Sequence, residues 1–345
     1  MAQFRGAELS ELEIVSERLV LRPWRASDPG SPAGSDLERE RGTGLAAAVV
    51  ERGSGEVVGA ATLRLPFDMR VADVAYEIRP PARGNRYAAE VADVLARWAF
   101  ARQVHRVEVR LDVLNLPSAH VALRAGFGFE SVRRDGLRVE GGWRDLAIFA
   151  RTADDPATPI APSFAALPSD GLSDGVLTLR APLPADADGF AQQEADPLTL
   201  LVGFSGRSAP RSAIERMLAR ARLDWLVGQT APFTMVDVAS GRFAGSLRLR
   251  MAGPPGVGGI GYAVHPAFRG RGYTTRALRL LAPWAFEQAR FARLELGAKQ
   301  DNIASQRAAA AAGFEPDGVR RARLRNADGT FSDEVRFALI NPRHR

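Results

Sequence analysis

The stretch "HPAFRGRGYTTRAL", His265 to Leu278, carries two closely spaced glycines and then apolar residues at helical spacing. A strand that ends here and a helix that begins here leave backbone N–H groups at Gly270 to Thr274 without partners inside the helix. Those groups, with the positive end of the helix dipole, form an anion site, and glycine lets a diphosphate approach without a Cβ in the way. Arg269 and Arg271 add charge, and Thr274 adds a hydroxyl. An earlier stretch, "RPPARGNRYAAEV" (Arg79 to Val91), repeats the pattern with Arg86 in place of the second glycine.

The echo extends well beyond the loop. Gly59 matches Gly245, Tyr76 matches Tyr262, Arg83 matches Arg269 and Trp98 matches Trp284 at one constant offset. One residue later in register, "NLPSAHVALRAGF" (Asn115 to Phe127) matches "NIASQRAAAAAGF" (Asn302 to Phe314). A single insertion over so long a match indicates a duplicated domain. The starts also correspond, with Arg22 against Arg180, but the second copy carries extra residues before its second strand, within Asp186 to Trp225. "DADGFAQQ" and "SAIERMLARARLDWLV" in that insert read as helices, with "PLTLLVGFSG" as a loop between them. The first copy has the polar loop "ASDPGSPAGSDLERERGTG" instead. The proline-rich "TADDPATPIAPSFAALPSDG" reads as a linker, so the expected domains are 1–152 and 172–345, joined by 153–171.

In the second copy "FTMVDV", "FAGSLRLR" and "IGYAV" read as successive strands, followed by a helix over 274–288, a strand "RLELGAK", a helix from Ile303 and a closing strand pair. The expected fold class is α/β (α+β): two tandem domains, each a mixed, mostly antiparallel sheet flanked by helices. Pro283 falls inside the first of these helices and conflicts with it.

Composition narrows the chemistry. The 345 residues contain no cysteine, which excludes a thiol nucleophile, a disulfide framework and cysteine metal sites. The four histidines do not fall at metal-ligand spacing, so no metal is expected. The net charge of +6 is thin for this length, so no nucleic-acid partner is expected, and of the 46 basic residues only Lys299 is a lysine. No apolar run reaches membrane-spanning length, and a cytoplasmic protein without a membrane partner is expected.

With these motifs in place, the second copy resembles the GNAT superfamily of N-acetyltransferases, whose acyl-CoA loop is written [QR]-x-x-G-x-[GA]. Arg269, Gly272 and Thr274 occupy the three positions, the last a departure. "LTLRAPLPADADG", "NIASQRAAAAAGF" and "SDEVRFALI" resemble the ribosomal-protein-alanine acetyltransferase branch. The resemblance covers nearly all of 172–345 and, more weakly, 15–152. It implies acetyl-CoA as cosubstrate, bound by Val264, Arg269, Gly270, Arg271, Gly272, Tyr273, Thr274 and Asn302. It implies direct acyl transfer to a primary amine of a small molecule or to a protein N-terminus. The backbone N–H near Val264 would serve the carbonyl oxygen, and Ser305 the departing sulfur, in place of a family tyrosine whose position here is Ala309. Ser305 and Asn302 are equally suited to opening a helix.

No general base stands out. Glu194 and Asp196 are candidates by location, Asp237 and Asp333 read as structural, and His265 reads as packing. Two other readings stay open, a non-catalytic acyl-CoA sensor or scaffold and an aminoacyl-tRNA-dependent acyl transferase. Arg86 should crowd a diphosphate, so the first copy is expected to be a structural partner without catalysis. A fused copy can also replace a dimer partner, giving a monomer with an internal pseudo-dimer. Gel filtration should then report a mass near 37.2 kDa, and a mass near twice that would contradict it.

Overall fold

The computed structural model describes residues 13–30, 44–65, 70–162, 164–204, 207–326 and 328–344. Most of the first copy's polar loop lies outside the described residues. Two compact units emerge, Met1–Ala161 and Pro162–Arg345.

The first unit runs β1 (Ile14–Val15), β2 (Leu19–Arg22), β3 (Gly44–Glu51), β4 (Val57–Arg64), β5 (Val71–Ile78), α1 (Tyr87–Phe100), β6 (Arg106–Asp112), α2 (Leu116–Arg124), β7 (Gly128–Val139) and β8 (Gly142–Thr152). The second opens with β9 (Leu172–Ser173), β10 (Leu177–Arg180), α3 (Ala187–Ala195), α4 (Pro197–Val202) and α5 (Arg211–Leu226). It continues with β11 (Thr230–Asp237), β12 (Phe243–Ala252), β13 (Val257–Val264), α6 (Tyr273–Glu287), β14 (Arg293–Lys299), α7 (Ile303–Ala311), β15 (Glu315–Arg325) and β16 (Phe331–Ile340). Each unit forms an eight-stranded sheet, in the orders β1-β2-β3-β4-β5-β6-β8-β7 and β15-β16-β14-β13-β12-β11-β10-β9. These are one topology written twice. The parallel pairs are β5 with β6 and β13 with β14, and the sheets are otherwise antiparallel, as the sequence pattern implies.

Duplication also appears as repeated chemistry. Arg22 forks onto Asp28 at 2.7 and 2.8 Å, and Arg180 forks onto Asp186 at 2.8 and 2.7 Å. The phenol at the start of the long helix donates to a carboxylate in both units, Tyr87 to Glu51 and Tyr273 to Asp237. Gly59 and Gly245 stand where strands approach closely: a Cβ would lie 2.2 Å from Glu77 O in one case and 2.5 Å from Ala263 O in the other.

In the second unit Ala244, Leu247 and Leu249 of β12 face the core with Leu278, Leu281 and Ala285 of α6. Strand alternation then sends Ser246, Arg248 and Arg250 to the opposite face. Pro283 is accommodated within α6, which runs on to Glu287. The carbonyl it leaves without an amide belongs to Arg279, an exposed residue, so water can take the lost bond. Leu218, Leu223 and Leu226 of α5 are buried, whereas "PLTLLV", read as part of a loop, forms the short helix α4. Its N-cap Asp196 accepts from the Thr199 N–H at 2.8 Å, a signal written in "DPLT".

The segment 153–171 contributes to both units. Ile160 donates its N–H to Leu123 O at 2.9 Å in the first, while Phe164 is buried in the second against Trp225 and Phe291. Trp225 in turn packs on Phe233 and Trp284 and donates to Ala165 O at 3.0 Å. Removing a buried ring leaves a cavity, so Phe164→Ala should cost the second unit about 3 kcal/mol in urea unfolding, and a change below about 1 kcal/mol would contradict this packing.

Candidate active site

The strand-to-helix turn of the second unit has the geometry its sequence demands. Gly270 (φ 75°) and Gly272 (φ 72°) are left-handed, and Gly272 caps α6. The first described bond of the helix runs from Arg276 N–H to Gly272 O at 3.1 Å. Among the described residues no acceptor within the chain meets the N–H groups of Gly270, Arg271, Gly272, Tyr273 and Thr274. A Cβ at Gly270 or Gly272 would meet nothing within 4 Å, so the space in front of these amides is open.

The side chains around the turn are engaged differently from the expectation. Arg269, expected to add charge for a diphosphate, sends its guanidinium to Asp196 and to Thr199 Oγ1 (2.9 Å). This hydrogen bond holds the Asp196 carboxyl down at about 2, which removes Asp196 as a base at neutral pH. Arg271 lies over the Phe268 ring at 5.0 Å. The Tyr273 phenol belongs to Asp237, which also accepts from the Ser240 N–H at 2.9 Å, so Tyr273 offers the site its backbone alone. His265 is buried, accepts from the Ala267 N–H at 3.3 Å and meets Gln192 at 3.0 Å, a packing role. Asp333 accepts from the Ala322 N–H at 2.7 Å, a structural one.

In the first unit the same turn is built with Arg86 in the left-handed conformation (φ 65°) that Gly272 adopts. The larger difference lies one turn into the helix. Glu90 and Asp93 flank the start of α1, where α6 has Arg276 and Arg279 at the matching positions. Glu90 is held by Ser16 (2.7 Å) and Arg18 (2.9 Å). They line a cavity of about 450 Å³ together with Glu17, Arg86 and Arg97. The side chains at these positions are opposite in sign but engaged in both units: Glu90 pairs with Arg18 and Asp93 with Arg97 and Arg151, while Arg276 pairs with Asp174 and Arg279 donates to Ala311 O.

Beside the turn the second sheet opens. β13 pairs with β12 along its whole length, but with β14 only as far as Ile260 and Leu296. Beyond that point the edge of β13 is free on the β14 side. His265 donates its N–H to Ala244 O on the β12 side at 2.9 Å. Since successive N–H groups alternate along a strand, the Val264 N–H faces the gap.

Ser305 stands at this gap, with its Oγ 2.8 Å from the Tyr262 hydroxyl. Asn302 accepts from the Ser305 N–H at 3.1 Å and is thereby the cap of α7. Burial raises the Tyr262 phenol above its usual range, with Ser305 partly opposing. It therefore stays protonated and can donate to Ser305 Oγ, which frees the serine O–H. Sequence reading missed this tyrosine because it searched on the helix, at Ala309, whereas the phenol arrives from the strand. The first unit keeps the pair, Tyr76 with Ser118 at 3.1 Å, and burial pushes Tyr76 up to about 12.

On the other face of the second sheet lie Gly259, Gly261, Ala263 and Gly297, a floor almost without side chains. Around it stand Gln193, bonded to Ser246 at 2.8 Å, and Glu194, whose carboxyl burial raises while the Arg248 charge opposes. Lys299 is buried and donates to Leu201 O of α4 at 2.6 Å, and Glu334 is buried opposite it. Neither residue carries a motif, and only the register of β14 against β16 brings them here. No cluster of three or more metal-ligating side chains is found among the described residues, and no described helix is long and apolar enough to cross a membrane.

A family model, Acetyltransferase (GNAT) domain, matches residues 33–128 and 176–315. The chain belongs to this family, in tandem form. It is similar to Probable N-acetyltransferase YjcK of Bacillus subtilis (strain 168), 34% identical over 83 residues, which are 24% of this chain and 45% of that protein. The match thus spans less than half of that relative. Similar solved structures include the ribosomal-protein-S5-alanine acetyltransferase of Vibrio fischeri, at 20% identity over 49% of this chain and 95% of that one, TM-score 0.42. Another is the microcin C7 self immunity acetyltransferase MccE, in complex with acetyl-CoA and AMP, at 18% identity over 51% and 98%, TM-score 0.45.

The Asp196 clamp has a testable pH signature. Its folded carboxyl lies below the unfolded value, so its stabilisation is complete above about pH 4 and is lost as pH falls toward about 2. The melting-temperature gap between the wild type and Asp196→Asn should be constant from about pH 5 to 8 and should close below about pH 4. A gap that instead closes near neutrality would contradict the assignment.

Proposed function

We propose that the C-terminal unit transfers an acetyl group from acetyl-CoA to a primary amine of a small molecule or a protein N-terminus, while the N-terminal unit keeps the fold without the chemistry. The observation that carries this reading is the row of unpartnered amides from Gly270 to Thr274, opening a helix beside a splayed strand pair. Its residues fit the cosubstrate. The amides suit a diphosphate, and the free edge of β13 suits the pantetheine amides by strand-like pairing. The protein N-terminus is included because the motifs of this unit resemble the ribosomal-protein-alanine acetyltransferase branch.

Acetyl-CoA supplies the activated thioester. The chain supplies two groups for the charges that develop during transfer. The Val264 N–H faces the gap and serves the carbonyl oxygen as it gains charge. Ser305, backed by the protonated Tyr262 phenol, gives a proton to the departing sulfur and recovers one from the phenol or from solvent. Asn302 acts by fixing Ser305 at the start of α7, and Arg269 by fixing α4 to the turn.

Gly272→Glu places a carboxylate against the diphosphate and should weaken acetyl-CoA binding about 100-fold or more by calorimetry, whereas Arg86→Glu should leave it unchanged. Ser305→Ala should lower kcat about 100-fold with acetyl-CoA affinity retained. Binding without thiol release on an amine panel would favour a sensor. Absence of binding would favour the aminoacyl-tRNA-dependent route.

A further inference from the structure

Among the described residues of the second unit the buried carboxylates are Asp186, Asp224, Asp237 and Glu334. Asp186 and Asp237 each accept from several donors, whereas Asp224 accepts a single shared guanidinium N–H. Asp186 accepts from Arg180, the Leu183 N–H and Thr234 at 2.7–2.8 Å. Asp224 accepts from Arg220 at 3.0 and 3.1 Å. Asp237 holds Ser240 and Tyr273. Glu334 is paired through Oε1 with Arg336 at 3.3 Å, a guanidinium that also reaches Glu295, while its Oε2 faces only the Arg320 charge at 3.9 Å. The charge of Glu334 is thus compensated by Arg336, and its Oε2 keeps capacity for one further donor.

Its position says what that donor is near. A Cβ built on Gly297 would lie 2.0 Å from Glu334 Oε1 and 2.7 Å from its Cδ, so the carboxylate lies flat on the glycine. Gly297 directly follows Leu296, the last residue of β14 paired to β13. The carboxylate therefore sits where the gap opens. Leu296 and Ala298 are buried, with Leu296 in the core under α6, so Gly297 and Glu334 occupy the opposite face. Ser305 reaches the gap from the core side through Tyr262. Proton acceptor and sulfur partner thus flank the gap from its two faces.

The first unit supplies an internal control. Its β6 and β8 pair in the same register, with Asp112 opposite Leu146 as Lys299 is opposite Glu334. The Arg106–Glu108 pair there is kept as Arg293–Glu295. Yet Gly297 corresponds to Arg110, and Glu334 to Leu146. The glycine floor and its carboxylate occur together in the unit with the open turn and are absent together from the other. Lys299 does not neutralise Glu334 directly, because its ammonium goes to Leu201 O at 2.6 Å.

We infer that Glu334 receives the acceptor: it holds the ammonium of a primary amine against the glycine floor and takes one proton from it, directly or through one water. The nitrogen lone pair then forms the C–N bond, the C–S bond breaks with its electron pair on sulfur, and the nitrogen's second proton is released as the sulfur gains one from Ser305. The acceptor class is a primary amine that is ionised when it binds. This inference rests on the functional reading above.

The test uses the full chain and Glu334→Gln, which keeps shape and packing. Calorimetry without CoA measures the affinity for benzylamine, 1,4-diaminobutane and an alanine-initiated hexapeptide. At least one should bind the wild type, and Glu334→Gln should bind it at least about tenfold more weakly with acetyl-CoA affinity unchanged. Turnover of that amine should fall about 100- to 1000-fold, and turnover of hydroxylamine, uncharged at pH 8, by less than about threefold. If the glutamine variant does not fold, Glu334→Asp, which withdraws the carboxylate by one methylene, should show the same amine-selective loss in smaller measure. Equal amine binding and turnover by wild type and variant would overturn the inference, as would a wild type that binds none of the amines. A wild type that binds amines through Glu334 but not acetyl-CoA would sink the functional reading and leave this one standing.

Discussion

A helix entered from a glycine turn cannot satisfy its first amides, and the features of the second unit's candidate site lie around that constraint. The unpartnered N–H groups at Gly270 to Thr274 require an anion or water. The two left-handed glycines keep the approach open. Beside the turn β13 parts from β14 after Ile260, and the gap that results exposes the Val264 N–H. Ser305 with Tyr262 on one face and Glu334 on the other are consequences of where the strands separate.

The duplication shows which of these features are architectural. Both units keep the Arg–Asp fork, the phenol-to-carboxylate bond at the helix start, the tyrosine–serine pair and the asparagine cap. These persist in both units, so they belong to the shared architecture on which the C-terminal unit builds its proposed site. The differences include positions of the turn and of the glycine floor. Among them are Gly272 against Arg86, Arg276 and Arg279 against Glu90 and Asp93, and Gly297 with Glu334 against Arg110 with Leu146. The second unit also adds α3 to α5, bolted down by Arg269 on Asp196 at one end of α4 and Lys299 on Leu201 O at the other. In a chain whose other lysine or arginine positions are all arginine, the ammonium of Lys299 is buried and meets the Leu201 carbonyl.

Much of this was legible beforehand, for identifiable reasons. Duplication, sheet type and the glycine turn are written in local spacing, and so is the Asn302 cap. The fate of Arg269 was not, because its partner lies 73 residues away on a helix absent from the first copy. Tyr262 escaped because the search followed the family position on α7 instead of the strand opposite it. Glu334 has no motif at all, and its meaning comes from a glycine on the neighbouring strand. The charge reversal at the helix start was visible in "TTRALR" against "AAEVAD", whereas the partners that engage these side chains in both units were not.

The most direct test of the central claim is a co-crystal structure with CoA. The account predicts diphosphate density against the amides of Gly270 to Thr274, the thiol end in the gap between β13 and β14, and nothing at the start of α1. Density for the carrier lodged only at the Arg86 turn, or a diphosphate held by side chains away from these amides, would contradict it.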